Sequence, residues 1–348
     1  MRLERLRIQG LGPFSEVELP FLGADGEARA VTVIYGDGGT GKSTVHTAID
    51  NTRPGHVTKG QLFRNAPKDA RVASAWRLDE EDPDRPHPLW ISSPGSSVHE
   101  DEAQERLRRS EQSFFDKRAA LGPGFIFYEF SEHRVFPRAS LSLNDPAQTL
   151  MRRESRSPGF SDRSRFELTR KVKQVLAFAE LASTQIGSAQ FDGVDPRVLR
   201  RAIHMAMACL LPLVGLRYEG IDPLSFEPLF ETGDGRLCHF DELAKQSRHI
   251  LAFGALTAHA LWLGSGGEDP YQVRGVVCID EIEIHLQDRV VGGLIDALVD
   301  AFRGVQWIIT TSSSLVAASV DAASLLALRR MPGKSEVRLF VEEQAQTH

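Results

Sequence analysis

The sequence has few cysteines and no long apolar run. Its 348 residues include three cysteines, Cys209, Cys238 and Cys278, an odd number with no metal-ligand spacing. We therefore expect free thiols in a reducing compartment. The most apolar windows, residues 205–216 and 250–264, are too short or too interrupted to span a bilayer. The N-terminus alternates charged and apolar side chains, which excludes the apolar core of a signal peptide. These absences predict a cytoplasmic protein with no membrane contact.

An excess of positive charge is also absent. With 41 lysines and arginines against 47 aspartates and glutamates, the formal net charge is -6 at pH 7. This balance excludes a globally basic nucleic-acid binder, although it allows a local basic groove. Residues 151–173 are the candidate, and a contact of Arg152, Arg153 and Arg156 with nucleic-acid phosphates is one interpretation. The other is a solvated loop that docks on a partner protein, because Ser, Pro and Gly surround the basic residues.

The most informative segment is VTVIYGDGGTGKST, residues 31–44. Its β-branched run predicts a buried strand, and its glycines then match the pattern GxxxxGK[ST] of a P-loop. Glycines let backbone N–H groups curl around a phosphate, Lys42 reaches the β- and γ-phosphates, and the Ser43 hydroxyl ligates Mg²⁺. We predict that a nucleotide and Mg²⁺ bind here. The binding residues are Gly36, Asp37, Gly38, Gly39, Thr40, Gly41, Lys42, Ser43 and Thr44.

A second apolar segment supplies the acidic partners that a P-loop needs. Residues 276–279 are apolar and are followed by Asp280 and Glu281, the pattern of a Walker B motif. A buried strand places Asp280 at its C-terminal edge, where the carboxylate holds Mg²⁺ through water. Glu281 then orients and deprotonates the attacking water. An ordinary strand followed by an acidic turn is the alternative, but the P-loop favours catalysis, with Glu281 and Lys42 as catalytic residues and Ser43 and Asp280 as metal ligands.

These motifs resemble the ABC-type ATPases of the RecF/SMC/OLD-like branch. The resemblance rests on residues 1–19, 31–44 and 276–287, so it covers both ends of the chain well and the middle only loosely. It implies an α/β fold, a P-loop NTPase of the ABC-type ATPase head, with a mixed N-terminal sheet, a central parallel sheet and a helical insertion. It further implies that ATP and Mg²⁺ are the cofactors. Two protomers would sandwich two ATP molecules, each site being completed by a signature loop from the partner.

Periodicity along the chain is consistent with one composite ATPase domain of three parts. Helical spacing dominates from about residue 165 to 216, whereas the last third alternates strand and helix, which is typical of a parallel sheet covered by helices. We predict an N-terminal lobe with the P-loop at residues 1–135 and a helical insertion with flanking strands at 136–240. A C-terminal lobe at 241–348 would hold the signature-like helix, the Walker B motif and the switch strand. The switch strand is the strand downstream of Walker B that ends just before Ser312.

The signature-like segment, Leu243–Ser247, departs from the family pattern. It reads LAKQS and has no glycine, so Gln246 would obstruct the approach of a helix N-terminus to a partner's γ-phosphate. Lys245 or Ser247 would be the substitute donor. An ordinary helix start with Asp241 as the N-cap is an equally good interpretation.

Three other positions bear on nucleotide sensing. The resemblance places a γ-phosphate-contacting histidine where this chain has Ser312, which is shorter and would reach a phosphate only through water. The Walker B continuation keeps His285, as a packing or dimer-contact residue, but has Gln287 and Asp288 in place of His-Pro. These departures predict slow hydrolysis, with ATP acting more as a clamp than as fuel.

Arg134 or its neighbour His133 would sense the nucleotide, or Arg134 is a plain loop arginine.

The motifs and the resemblance together predict an ATP-binding ABC-type ATPase. It would form a homodimer or a higher homo-oligomer around ATP and gate a protein effector, a nuclease or toxin, in bacterial anti-phage defence or DNA repair. One alternative is a RecF-like repair ATPase that binds nucleic acid, and another is a degenerate, non-hydrolysing nucleotide-binding scaffold. Neither a coiled-coil arm nor a nuclease domain is predicted in the chain.

Overall fold

A computed structural model describes most of the chain. The described residues are 1–54, 67, 69–77, 89–93, 102–103, 106, 110, 113, 125–141, 167–184, 195–266, 269–334 and 336–341. Most of the basic segment 151–173 lies outside them, including Arg152, Arg153 and Arg156.

The last third of the chain alternates between helices and strands, as the sequence periodicity predicts. The strands are β1 (Arg2–Leu11), β2 (Phe14–Pro20), β3 (Val31–Gly36), β4 (Arg71–Arg77), β5 (Leu89–Ser93), β6 (Phe125–Phe130), β7 (Leu216–Ile221), β8 (Pro228–Thr232), β9 (Leu237–His239), β10 (Arg274–Ile279), β11 (Val305–Thr311), β12 (Leu325–Arg330) and β13 (Val337–Val341). The helices are α1 (Lys42–Asn51), α2 (Thr169–Thr184), α3 (Pro196–Leu210), α4 (Lys245–Gly264), α5 (Asp288–Ala301) and α6 (Ser314–Ala318).

The chain divides into two compact units. The first comprises residues 1–122, 278–281 and 306–348, and the second comprises residues 123–277 and 282–305. Strand β10 passes from the second unit into the first, so the two acidic residues that follow it belong to the first unit together with the P-loop.

The first unit begins with an antiparallel sheet in the order β2-β1-β4-β5. Along β1, the buried Leu6 and Ile8 alternate with the exposed Arg5 and Arg7, the pattern of a strand with one face in the core. The tight turn after β1 contains Gly12, whose φ of 57° suits glycine. The β1–β2, β1–β4 and β4–β5 pairs of this sheet are all antiparallel.

The first unit also contains the sheet that carries the P-loop. Strand β3 pairs in parallel with β11 on one side and β12 on the other, and the end of β10 lies beyond β11. The α/β fold class and the parallel core of this sheet are therefore confirmed. The sheet as a whole is mixed, because β13, which the sequence analysis did not predict, returns from β12 after a short turn and pairs with it antiparallel.

The second unit contains the predicted helical insertion as α2 and α3, which pack against α4. Helix α4 is buried along most of its length, and its Trp262 and Phe253 are fully buried. A three-stranded antiparallel sheet, β7-β8-β9, follows α3 in the chain. No helix among the described residues is both long enough and apolar enough to cross a membrane.

Candidate nucleotide-binding site

The P-loop lies between β3 and α1 in the first unit, as the sequence predicts. Gly39 and Gly41 have φ values of 77° and 95°, in the left-handed region that glycine tolerates best. A Cβ atom on Gly41 would come within 2.6 Å of the Phe14 ring, and one on Gly36 within 2.9 Å of the Leu328 carbonyl oxygen. Close packing therefore excludes side chains at positions 36 and 41.

The tip of the loop is open and its base is braced. Asp37, Gly38 and Gly39 are exposed, and a Cβ atom on Gly38 would meet no atom within 4 Å. The buried Thr40 donates its hydroxyl proton to the Asp37 carbonyl oxygen at 2.8 Å, while Arg330 of β12 donates to the Gly39 carbonyl oxygen at 3.2 Å. These bonds fix the curvature of the loop and leave its tip free for a ligand.

Lys42 directs its charge into the loop. Its Nζ donates to the carbonyl oxygens of Gly36 at 2.7 Å and Asp37 at 3.2 Å, and its side chain is 5% exposed. The same Nζ lies 3.8 Å from Glu281 Oε1. The structure thus brings together the two residues for which the sequence predicts catalytic roles.

Ser43 and Thr44 follow Lys42 in the first turn of α1. Both side chains are half-buried, and the Thr44 hydroxyl lies 3.1 Å from the position that a Cβ on Gly12 would occupy. Gly41, the N-cap of α1, supplies no side-chain cap. The first N–H groups of this ten-residue helix are therefore of the kind that bind anions.

Asp280 and Glu281 are joined by a third residue, Thr310 of β11, which the sequence analysis missed. Asp280 is fully buried, and its Oδ1 accepts a hydrogen bond of 2.5 Å from Thr310 Oγ1. The backbone N–H of Glu281 donates to the same Oγ1 at 2.8 Å. Glu281 has a φ of 45°, a strained value for a residue with a Cβ atom. The Glu281 side chain is 29% exposed.

His46 of α1 is a second residue that the sequence analysis missed. It is fully buried, and burial lowers the pKa of its imidazole, while the charge of Asp280 acts in the opposite direction. Since His46 follows Lys42 by four residues on a helix, it lies on the same helical face. The four-residue spacing from Lys42 could have predicted that His46 lies on the helical face that carries Lys42.

Ser312 lies just after β11 in the first unit and is exposed. The next residue, Ser313, donates its backbone N–H to Thr311 Oγ1 at 3.1 Å, and its hydroxyl caps α6 by accepting from the Val316 N–H. Ser312 therefore occupies the predicted end of the switch strand.

The signature-like segment lies in the second unit and is built differently from the prediction. Helix α4 begins at Lys245 with Ala244 as the N-cap, so Asp241 is not the cap. The Asp241 carboxylate instead lies 2.8 Å from Lys173 Nζ, which is fully buried. Of the two suggested donors, Ser247 is buried and Lys245 is exposed.

Two histidines lie behind this segment, in the same unit. His249 Nδ1 donates to the Lys245 carbonyl oxygen at 2.8 Å, and the His249 ring lies 5.3 Å from that of His285, centroid to centroid. Burial lowers the pKa of His249 to about 3; the hydrogen bond to the Lys245 carbonyl oxygen opposes this shift, and the positive charges of Arg134 and Lys245 add to it. Burial also lowers the pKa of His285. Both imidazoles are therefore neutral at pH 7.

Arg134 is buried in the second unit, and the neighbouring His133 is exposed. The guanidinium donates to the Ser131 carbonyl oxygen at 2.9 Å and to the Ile282 carbonyl oxygen at 3.5 Å, and it lies 5.4 Å from the centre of the Phe253 ring. These contacts brace the segment that follows Glu281.

The residues of the first unit fit a nucleotide with Mg²⁺. In the described part of the chain, no three His, Cys, Asp or Glu side chains are grouped so as to hold a metal by themselves. Mg²⁺ is usually held by one or two protein oxygens together with water and phosphates. The Ser43 hydroxyl and the buried Asp280 carboxylate offer oxygen atoms of the kind that such a site uses.

Residues 1–76 match the family model of an AAA domain. The match includes β1, β2, β3, the P-loop and α1. Together with the strand–loop–helix geometry, it supports the resemblance to ABC-type ATPases of the RecF/SMC branch and thus a P-loop ATPase.

The chain is also similar to solved SMC head domains. For the SMC head domain from Thermotoga maritima, the identity is 14% and the TM-score 0.47, covering 99% of this chain and 100% of that one. For an SmcHead bound to the C-winged helix domain of ScpA, the identity is 15% and the TM-score 0.48, covering 99% of each chain. A third structure is an Smc head domain with an extended coiled coil, bound to the C-terminal domain of ScpA derived from Pyrococcus furiosus. Its identity to this chain is 15% and its TM-score 0.46, and the match covers 99% of this chain and 97% of that one.

Proposed function

We propose that this chain hydrolyses ATP slowly at the P-loop and that two copies close around the nucleotide. The observation that carries the proposal is the convergence of Lys42 and Glu281, whose charged atoms lie 3.8 Å apart, beside the buried carboxylate of Asp280. A cation, a catalytic base and a metal ligand are the parts that phosphoryl transfer to water requires.

Each residue has a separate role in this mechanism. The N–H groups of the P-loop and of the first turn of α1 bind the phosphates, and Lys42 neutralises the β- and γ-phosphate charge. Ser43 and Asp280 would hold Mg²⁺, which would supply charge stabilisation for phosphoryl transfer. Glu281 accepts the proton of the attacking water on its partly exposed carboxylate. Asp37 to Gly39 keep the loop tip open for the nucleotide to enter.

Slow hydrolysis follows from the residues at two family positions. Ser312 carries a short hydroxyl where a histidine would deliver a hydrogen bond to the γ-phosphate. Gln246 replaces the glycine through which a partner's helix would approach. Removing one preorganised donor from a transition state lowers the rate by about 10² to 10³-fold. Under this proposal, ATP binding holds the dimer together for long intervals, and that state gates a protein effector.

The ATPase proposal is tested with Lys42→Ala. We expect phosphate release to fall by about 100-fold or more, because the lysine stabilises the charge on the transferred group. Lys334→Ala is the matched control, since Lys334 is an exposed lysine outside the P-loop. Equal rates for Lys42→Ala and the unmodified protein would show that the measured activity does not come from this site.

Dimerisation is tested with Glu281→Gln, which keeps the side chain's shape but removes the base. We expect its molar mass, measured by light scattering, to double when ATP and Mg²⁺ are added and to remain unchanged with ADP. A monomer under both conditions would refute the clamp. If a nuclease or toxin is encoded beside this chain, its activity should change when this protein and ATP are added, and Glu281→Gln should prolong that change.

A further inference from the structure

One buried hydroxyl connects the two acidic residues of the proposed site. Thr310 is fully buried in β11, which lies beside the end of β10 in the central sheet of the first unit. Its hydroxyl donates to Asp280 Oδ1 at 2.5 Å and accepts from the Glu281 backbone N–H at 2.8 Å. The single proton of the hydroxyl is directed to the carboxylate, so a lone pair is left for the N–H group.

The backbone at Glu281 needs this support. A φ of 45° is unfavourable for a residue with a Cβ atom, and such conformations persist only where surrounding bonds enforce them. The bond to Thr310 holds the Glu281 N–H in the strained geometry. Without the bond, the residue can relax toward negative φ, which would carry its carboxylate away from Lys42 Nζ.

We infer that Thr310 is a positioning residue of the ATPase: its hydroxyl sets both the orientation of the Asp280 carboxylate and the backbone conformation that aims Glu281. This inference rests on the proposed function. It predicts that Thr310 affects the metal dependence and the chemical step, because it acts through the metal ligand and the base. The affinity for the nucleotide itself depends on the P-loop, whereas the two hydrogen bonds of the Thr310 hydroxyl go to Asp280 and Glu281.

Three variants test the inference. Thr310→Val removes the hydroxyl at nearly constant shape, and Thr310→Ser restores it. The matched control is Thr32→Val in the neighbouring strand β3, because Thr32 is also fully buried and its hydroxyl has no hydrogen-bond partner within the described residues. Thermal unfolding of each variant verifies that it is folded.

We expect Thr310→Val to lower kcat for phosphate release by about 10- to 100-fold and to raise the Mg²⁺ concentration needed for half-maximal rate, as loss of a bond behind a metal ligand typically does. The KM for ATP should change less than about threefold. Thr310→Ser should recover most of kcat, and Thr32→Val should match the unmodified protein. Wild-type kcat and Mg²⁺ dependence in Thr310→Val, or no recovery in Thr310→Ser, would overturn the inference.

A measurement without nucleotide separates this inference from the proposed function. Hydrogen exchange at the Glu281 amide should be faster in Thr310→Val than in the unmodified protein or Thr32→Val, because the N–H loses its acceptor. Unchanged exchange would overturn the positioning role by itself. Failure of the unmodified protein to bind or hydrolyse ATP would instead refute the proposed function.

Discussion

Gln246 and Gln287 are hydrogen-bonded to each other: the backbone N–H of Gln287 donates to Oε1 of Gln246 at 3.0 Å. Gln246 lies in the first turn of α4, and Gln287 is the N-cap of α5. The two residues also stand at two positions where the chain departs from the family that it resembles. The two residues that differ from the family pattern are therefore in contact with each other. Their hydrogen bond links the start of α4 to the start of α5 within the second unit.

Replacing Gln246 by alanine should lower the free energy of unfolding by about 1 kcal/mol, because the Gln287 N–H loses its acceptor. Gln246→Glu keeps an acceptor oxygen at the same place and should lose less. Urea denaturation of the three proteins measures the difference. If Gln246→Ala were as stable as the unmodified protein, the bond would contribute nothing to the fold.

An alanine at Gly41 should damage the P-loop, whereas one at Gly38 should not. Gly41 has a φ of 95°, and its Cβ would meet the Phe14 ring at 2.6 Å, whereas a Cβ at Gly38 meets open space. A left-handed conformation alone costs a non-glycine residue about 1–2 kcal/mol. We expect Gly41→Ala to unfold at lower temperature and to bind a fluorescent ATP analogue more weakly. Equal stability of the two variants would contradict the close packing of Gly41 on the β1–β2 turn.

Stability should fall as the pH drops below 7, and His249 should account for part of the loss. The pKa of His249 is about 3 in the folded protein, whereas an unfolded histidine has a pKa of about 6.5. Between these values the unfolded state binds a proton that the folded state does not, so acid favours unfolding. The loss from this group should be about 1 kcal/mol between pH 7 and pH 5.5.

His249→Asn isolates that contribution, because its amide can still donate to the Lys245 carbonyl oxygen without titrating. Its stability, measured by urea denaturation, should depend less on pH over the same range. The lowered pKa values of His46 and His285 contribute with the same sign, so a smaller dependence remains. An unchanged dependence in His249→Asn would exclude His249 as a source.

Lys173 should be essential to the fold of the second unit. It is fully buried, and its Nζ lies 2.9 Å from Glu227 and 2.8 Å from Asp241. Removing one partner of a buried ion pair typically costs 3–5 kcal/mol, and we expect about 3 kcal/mol for Lys173→Met, because both carboxylates retain some solvent contact. The exposed Lys334 provides the control: Lys334→Met should change stability by less than about 0.5 kcal/mol. Similar stabilities for both variants would show that the buried pairs are not stabilising.

The sequence alone determined the elements whose signals are local. The β1–β2 hairpin, the strand and helix around the P-loop, and the apolar strand before Asp280 each follow from periodicity or from a motif within about 20 residues. Turn glycines, alternation and helical spacing act between near neighbours, so they can be recognised without the fold. For the same reason, the α/β class could be predicted, and Lys42 and Glu281 could be named as candidate site residues.

Only the tertiary structure decided which side chains meet. Thr310 bonds to Asp280 across 30 residues, and Gln246 to Gln287 across 41. Strand order brings β11 beside β10, and no local pattern in either strand encodes that order. Asp241 is a case where a local pattern was misleading. Aspartate is a common helix N-cap, but the Asp241 carboxylate pairs with the buried Lys173 instead. Leaving a buried ammonium group without a charged partner costs about 3–5 kcal/mol, which is more than the roughly 1 kcal/mol that a helix N-cap contributes.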